Sequence, residues 1–116
     1  MESIRKAPLS MSFNQVSIIG KIASDPKFSV MPDGKKVVNF SMSTQENMLD
    51  RDGNVQIKRN LHRITAFGRW ARVFEELCGK GVHIAVDGKL VSKFYKTESG
   101  ERRMFSEIEV NDLVII

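Results

Sequence analysis

Residues 60 to 70, NLHRITAFGRW, hold the first side chains whose types and spacing could do chemistry. Side chains alternate along a strand, so His62, Ile64 and Ala66 share one face, and Leu61, Arg63, Thr65 and Phe67 share the other. The second row offers a cation, a hydroxyl and a π-face. Single strands of nucleic acid are held in this way, phosphates by charge and bases by stacking. The alternative is that Phe67 packs under a loop or against another subunit, as isolated surface aromatics commonly do. A second group, KFYK at 93 to 96, interleaves Phe94 and Tyr95 with Lys93 and Lys96. Few core or solvent roles need both residue kinds, although Phe94 could face a core with the lysines merely solvated.

Catalytic and metal chemistry find no matching pattern. No Ser, Thr or Cys has a base beside it, and Glu75 and Glu76 are helix neighbours that face apart. The two histidines, His62 and His83, fall on different strands, and Cys78 is the sole cysteine, so zinc-ligand spacing is missing. DRDGN at 50 to 54 resembles a calcium loop only superficially. Gly53 comes too early, and Leu61 stands where the closing Glu belongs. GKG at 79 to 81 lacks the spacing and the Ser or Thr of a phosphate loop. A non-enzyme without metal or cofactor is expected.

The elements that would position these groups follow from periodicity. Val16, Ile18 and Ile22 share a face of a first strand, with Gln15, Ser17 and Lys21 opposite. SDPKFSVMPDGKK reads as turns. VVNFSMST places Val38, Phe40 and Met42 inward, and ENMLDRDGNVQIKR, polar with an Asp-Gly tip, reads as a long hairpin leading into the strand holding Arg63. Trp70, Val73, Phe74 and Leu77 form one stripe of a short helix that Gly79 or Gly81 ends. Trp70 belongs to that stripe and is expected in the core rather than as a stacking platform, with Cys78 a buried thiol beside it. VHIAVDGKL, a hairpin tip at KTESGERR and MFSEIEVNDLVII supply two closing strands. Three strands, a helix and two strands predict an all-β OB-fold over residues 13 to 116. This is a five-stranded, partly open Greek-key barrel with its helix between strands 3 and 4, and its face and loops bind oligonucleotides or oligosaccharides. Residues 1 to 12 read as a flexible arm, and Met11 could be a second start.

Bulk properties agree with one such domain. The 116 residues suit a single core, and 41% hydrophobic with 28% charged residues is ordinary for a globular chain. No apolar run is long enough for a membrane-spanning helix. A lone cysteine and no secretory signal point to a reducing, cytoplasmic location. Net charge is +4, and between Lys58 and Arg72 five basic residues stand with no acidic one.

NQVSIIGKIASDPKFSVMPDGKKVVNFSMST, LHRITAFGRWARV, LCGKGVHIAVDGKL and SGERRMFSEI follow in order a known pattern. The sequence resembles the bacterial single-stranded DNA-binding proteins over nearly all of residues 14 to 110. Gly20 with Asp25-Pro26, His62-Arg63, Phe67-Gly68 and Lys80-Gly81 jointly carry the resemblance. It implies sequence-tolerant binding of single-stranded DNA in replication, recombination and repair, by a homotetramer built from dimers paired along the first strand. Carried over by position, stacking aromatics would fall at Met48, Leu61, Phe67 and Tyr95, of which two are aromatic here. Basic contacts would fall at Arg51, Arg63, Arg69 and Lys93. His62 matches an interface histidine, with Val16 and Ile18 on the pairing strand. The family recruits replication and repair proteins through an acidic tail, and the sequence given stops at Ile116 without one. Two other readings remain open: a tailless, dimeric primosome-type accessory protein that binds DNA and a helicase, and an OB domain that binds only protein.

Overall fold

The computed structural model describes residues 12–116. The arm expected at the N-terminus lies, through residue 11, outside the described residues. The elements run β1 (Val16–Ile22), β2 (Lys27–Val30), β3 (Lys36–Leu49), β4 (Val55–Phe67), α1 (Arg69–Leu77), β5 (His83–Lys96) and β6 (Arg102–Ile115). Five of the strands form a ring in the order β1-β3-β4-β6-β5, with β2 a spur on the outer edge of β3. This is the OB barrel, including its short parallel contact, Ile64 with Ile108 and Thr65 with Glu109.

The ring closes through two residue pairs, Lys21 with Ser43 and Ile22 with Met42. On its other side β1 pairs with β5, from Val16 opposite Gly88 to Lys21 opposite His83. The barrel is thus closed at a narrow seam and open along Val16 to Ile19. Asn14 extends the β5 contact: its amide nitrogen donates to the Leu90 carbonyl at 2.8 Å, and its oxygen accepts from the Leu90 N–H at 2.9 Å.

Alternation decides the core. Val38, Phe40 and Met42 of β3, Ile64 and Ala66 of β4, and Ile84 and Val86 of β5 point inward with Ile108, Val110 and Leu113 of β6. Phe74 of α1 is fully buried and stacks on Phe40 with ring centroids 4.2 Å apart. Trp70, Val73 and Cys78 pack around this cluster. Leu77, expected on the same stripe, is instead 61% exposed. Ala71 and Phe74 are the helix's buried residues, and the chain turns to extended backbone at Cys78. Partial burial pushes the Cys78 thiol up from its ordinary pKa, which favours the protonated thiol.

The segment expected to be only turns contains β2. Lys27 to Val30 pair with Lys36 to Asn39, around a tight turn in which Gly34 takes φ 89°. All four β2 residues are exposed, so burial leaves no alternating pattern to read. β3 and β4 pair continuously to Leu49 and Val55, forming the long hairpin that the Asp-Gly tip marks in the sequence. At that tip the Asp50 carboxylate accepts the N–H groups of Asp52 and Asn54, both at 2.9 Å. The Asn54 N–H foremost, then the Gln56 amide, which donates to the same carboxylate at 3.1 Å, hold its pKa below the ordinary value.

Closure demands glycine at the seam. A Cβ on Gly20 would stand 2.2 Å from the Ser43 carbonyl oxygen, and one on Gly88 would stand 2.1 Å from that of Glu109. Gly20→Ala must therefore part β1 from β3, an overpacking cost of about 1 to 3 kcal/mol. A lowered thermal midpoint by circular dichroism checks this. Gly79→Ala, where a Cβ meets nothing within 4 Å, should stay within about 0.5 kcal/mol of the parent.

Candidate nucleic-acid interface

The outer face of β3 and β4 is a register of opposed pairs: Val37 with Phe67, Asn39 with Thr65, Ser41 with Arg63 and Ser43 with Leu61. Thr65 is buried although it faces outward, and its hydroxyl is satisfied by donating to Asn39 Oδ1 at 2.6 Å. β6 crosses beside this row, bringing Phe105 and Glu107 to it. A groove of about 440 Å³ results, lined by Ser24, Asp25 and Lys27 from the β1–β2 loop and β2, Asn39 and Ser41 from β3, Arg63 from β4, and Phe105 and Glu107 from β6. Core residues Phe40 and Ile64 also line it. In OB folds the face of barrel strands 2 and 3, here β3 and β4, together with the first and last inter-strand loops, is where oligonucleotides bind.

Chemistry concentrates at β6. The Arg63 guanidinium lies 4.3 Å from the Phe105 ring centroid, and the Tyr95 ring is 5.9 Å from Phe105 at a 51° tilt. Lys93 Nζ stands 3.6 Å from Glu107. The β5–β6 register explains the grouping, since Lys93 opposes Phe105 and Tyr95 opposes Arg103 on one face. The same register sends Phe94 and Lys96 to the other face, opposite Met104 and Arg102. There the Arg102 guanidinium sits 4.2 Å from the Phe94 ring. The four KFYK residues therefore divide into two pairs.

The other expected contacts are spread out. Leu61 follows Arg63 on the outer row and is 72% exposed, whereas Met48, 50% exposed, pairs with Gln56 on the opposite face of the β3–β4 arm. Phe67 is half-buried at the far end of the row, opposite buried Val37, and does not line the groove. Arg69 opens α1, its guanidinium 4.7 Å from the Trp70 ring. Arg51 occupies the turn at the arm's tip. Of the residues expected at a subunit interface, Val16 and Ile18 are half-buried against the core. His62 is half-buried, with Nε2 2.8 Å from Thr44 Oγ1.

Several participants went unrecognised in the sequence. Phe105 and Glu107 alternate with inward Ile108, so the argument that singled out Phe67 would have found them. The outer row continues along the arm as Leu49, Val55 and Ile57, at 73%, 64% and 56% exposure. A further groove of about 380 Å³ brings Lys21, Arg59 and Lys80 around Ser43 and Leu61. No carboxylate lines it.

An OB barrel bearing cations and aromatics on its outer face defines the class, and comparison gives the family. Residues 13–116 match the Single-strand binding protein family, and the chain belongs to it. It is similar to a protein of Neisseria meningitidis named single-stranded DNA-binding protein, with 31% identity over 91% of this chain and 61% of the relative. It is also similar to single-stranded DNA-binding protein 1 of Chlorobaculum tepidum, with 28% identity over 93% of this chain and 67% of that one. The chain thus spans about three fifths of the Neisseria relative. In fold it resembles a Plasmodium falciparum SSB solved in complex with ssDNA, with a TM-score of 0.85, 24% identity, and coverage of 94% of this chain and 99% of that one. A deletion mutant of the single-stranded DNA-binding protein from Thermus aquaticus gives a TM-score of 0.76 at 22% identity, covering 90% of this chain and 50% of that one.

Trp70 packs against the core with Arg69 over its ring, so saturating oligo(dT) should change tryptophan emission little. Strong stoichiometric quenching would place the indole in the path of the strand.

Proposed function

We propose that the protein binds single-stranded DNA with little regard to sequence, protecting and organising it during replication, recombination and repair in the bacterial cytoplasm, without catalysis. The carrying observation is the Arg63 guanidinium on the Phe105 ring in the groove, a cation and a π-face in one place on the OB binding surface. Family membership and the names of the relatives support the same reading. Arg63 and Lys93 supply charge, Phe105 and Tyr95 supply stacking area, and Leu61 offers apolar contact without a π-face. Phe67, half-buried, is a secondary platform at the end of the row. Arg51, Arg69, Phe94, Lys96 and Met48 serve flanking stretches of a strand that runs beyond the groove.

Fluorescence anisotropy of labelled oligo(dT) against a duplex of equal length tests this reading, with tight binding expected only for the single strand. Arg63→Ala should lower the slope of log affinity against log salt by about 0.7, one phosphate contact. Phe105→Ala should cost about 1 to 3 kcal/mol and leave the slope nearly unchanged. Equal binding of duplex and single strand, or wild-type binding by both variants, would refute the assignment.

The same reading includes assembly into a homotetramer through dimers joined at β1. Support comes from the edge of β1 between Val16 and Ile19, which has no strand partner on the β3 side, and from Ile19 itself, 68% exposed. Natural proteins seldom leave such an edge bare. Val16 and Ile18 would join through their backbone groups, with His62 close by. Light scattering at micromolar concentration should report four chains; two would favour the dimeric accessory type, and one would end the assembly proposal.

A further inference from the structure

Two aspartates stand directly opposite each other on neighbouring strands, Asp87 of β5 and Asp112 of β6. Like charges so placed destabilise a sheet, and among the described residues no cation pairs with either. Further along the same outer face Lys21 of β1 opposes His83 of β5. Arg59 lines a groove of about 300 Å³ with them, and no carboxylate does. Between the two ends the register sets an apolar row, Ile19 beside Ala85 beside Val114, in which Ile19 and Val114 are 68% and 56% exposed. One sheet face thus carries a cationic end, an apolar middle and an anionic end. Each end is unfavourable alone, and each is the complement of the other.

We infer that this outer face of β1, β5 and β6 docks on the same face of a second copy, about a two-fold axis running across the strands through the apolar row, so that Lys21 and His83 of each copy meet Asp87 and Asp112 of the other. The inference rests on the homotetramer reading given above and supplies its second interface, the one that joins two β1-edge dimers. A two-fold axis uses one patch twice, so the patch must complement itself. An axis along the strands would lay cations on cations and carboxylates on carboxylates; the axis across them opposes unlike charges at both ends. Packed sheets lie about 10 Å apart, a gap that facing lysine and aspartate side chains span. Both carboxylates keep an oxygen for the incoming donors: Asp87 Oδ1 accepts the Ser17 hydroxyl and Asp112 Oδ1 accepts the Leu113 N–H at 2.9 Å, which leaves the two Oδ2 atoms. The aspartates also repel a phosphate backbone, so a nucleic acid is the wrong occupant. Edge pairing at β1 and this contact use different two-fold axes, and two perpendicular two-folds close an assembly of four chains. Residues of the 440 Å³ groove take no part in it.

The test is the tetramer–dimer equilibrium of the full chain, followed by analytical ultracentrifugation across protein concentration. Raising sodium chloride from about 0.1 M to about 1 M shortens the screening length from about 10 Å to about 3 Å, and should raise the concentration at which the parent forms tetramers. Asp87→Lys with Asp112→Lys sets cations against cations and should raise that concentration at least about tenfold, leaving dimers. Lys21→Asp with His83→Asp should do the same from the other end. Joining the two pairs of substitutions in one chain restores unlike charges and should restore the tetramer, a rescue that mere damage to the fold would not give. Asp87→Asn with Asp112→Asn, close in shape, serves if the lysine variant does not fold, and should weaken tetramers. Parent-like tetramers in any of the paired variants, a folded chain with all the substitutions that stays dimeric, or a parent indifferent to salt would each overturn the face contact while leaving the tetramer itself standing. A parent that never exceeds a dimer would overturn both readings.

Discussion

The barrel depends on one close approach. At Gly20 the backbone of β1 passes so near the Ser43 carbonyl that no side chain fits between them, and only the two pairs beside it join β1 to β3. On the far side of the ring Gly88 makes the matching approach to Glu109, at the irregularity where the β5–β6 register shifts. A sheet of five strands must bend sharply to close, and bulges and glycines are where it can. Phe40, Phe74 and Met42 fill the enclosed volume once the ring exists. They could not enforce closure alone, since apolar burial is non-directional.

Closure also fixes which residues meet outside. The strands of both long hairpins are longer than the barrel needs, so their tips continue as two-faced ribbons with no core beneath either face. On those ribbons alternation still sorts side chains, but both faces are wet, and an apolar residue no longer signals the interior. This is why Phe94 and Tyr95, adjacent in sequence, serve different surfaces, and why Met48 and Leu61 do not share one.

Legibility followed the same boundary. Over the barrel, period-2 patterning identified Val38, Phe40, Met42, Ile84 and Val86 as interior, and the helical stripe identified Phe74, because one face of each element is buried. Where neither face is buried that signal is lost: β2 reads as turns, and the long β3–β4 hairpin is legible from its Asp-Gly tip rather than from apolar alternation. The candidate site was partly legible. Arg63, Lys93 and Tyr95 came from local chemistry, but the side chains that assemble them, Phe105 and Glu107, arrive from β6 through a parallel pairing with β4 more than forty residues away in sequence. The puzzle of an aromatic on the polar face of β4 has a divided answer, because half-buried Phe67 ends the row and the aromatic that meets Arg63 belongs to another strand.

The order of the ring then separates two demands on the surface. β1 is joined to β5 on one side and to β3 only at the seam, so its bare edge opens near the start of the ring. The groove is built where β3, β4 and β6 lie side by side, with the β1–β2 loop as its rim. A strand partner added at Val16 to Ile19 would extend the sheet away from β4 and β6 and leave the groove's lining residues uncovered. Assembly along β1 and occupation of the groove therefore compete for no side chain. Copies joined at that edge would each keep an Arg63–Phe105 face open, which is the geometric condition for one long strand to engage several subunits at once.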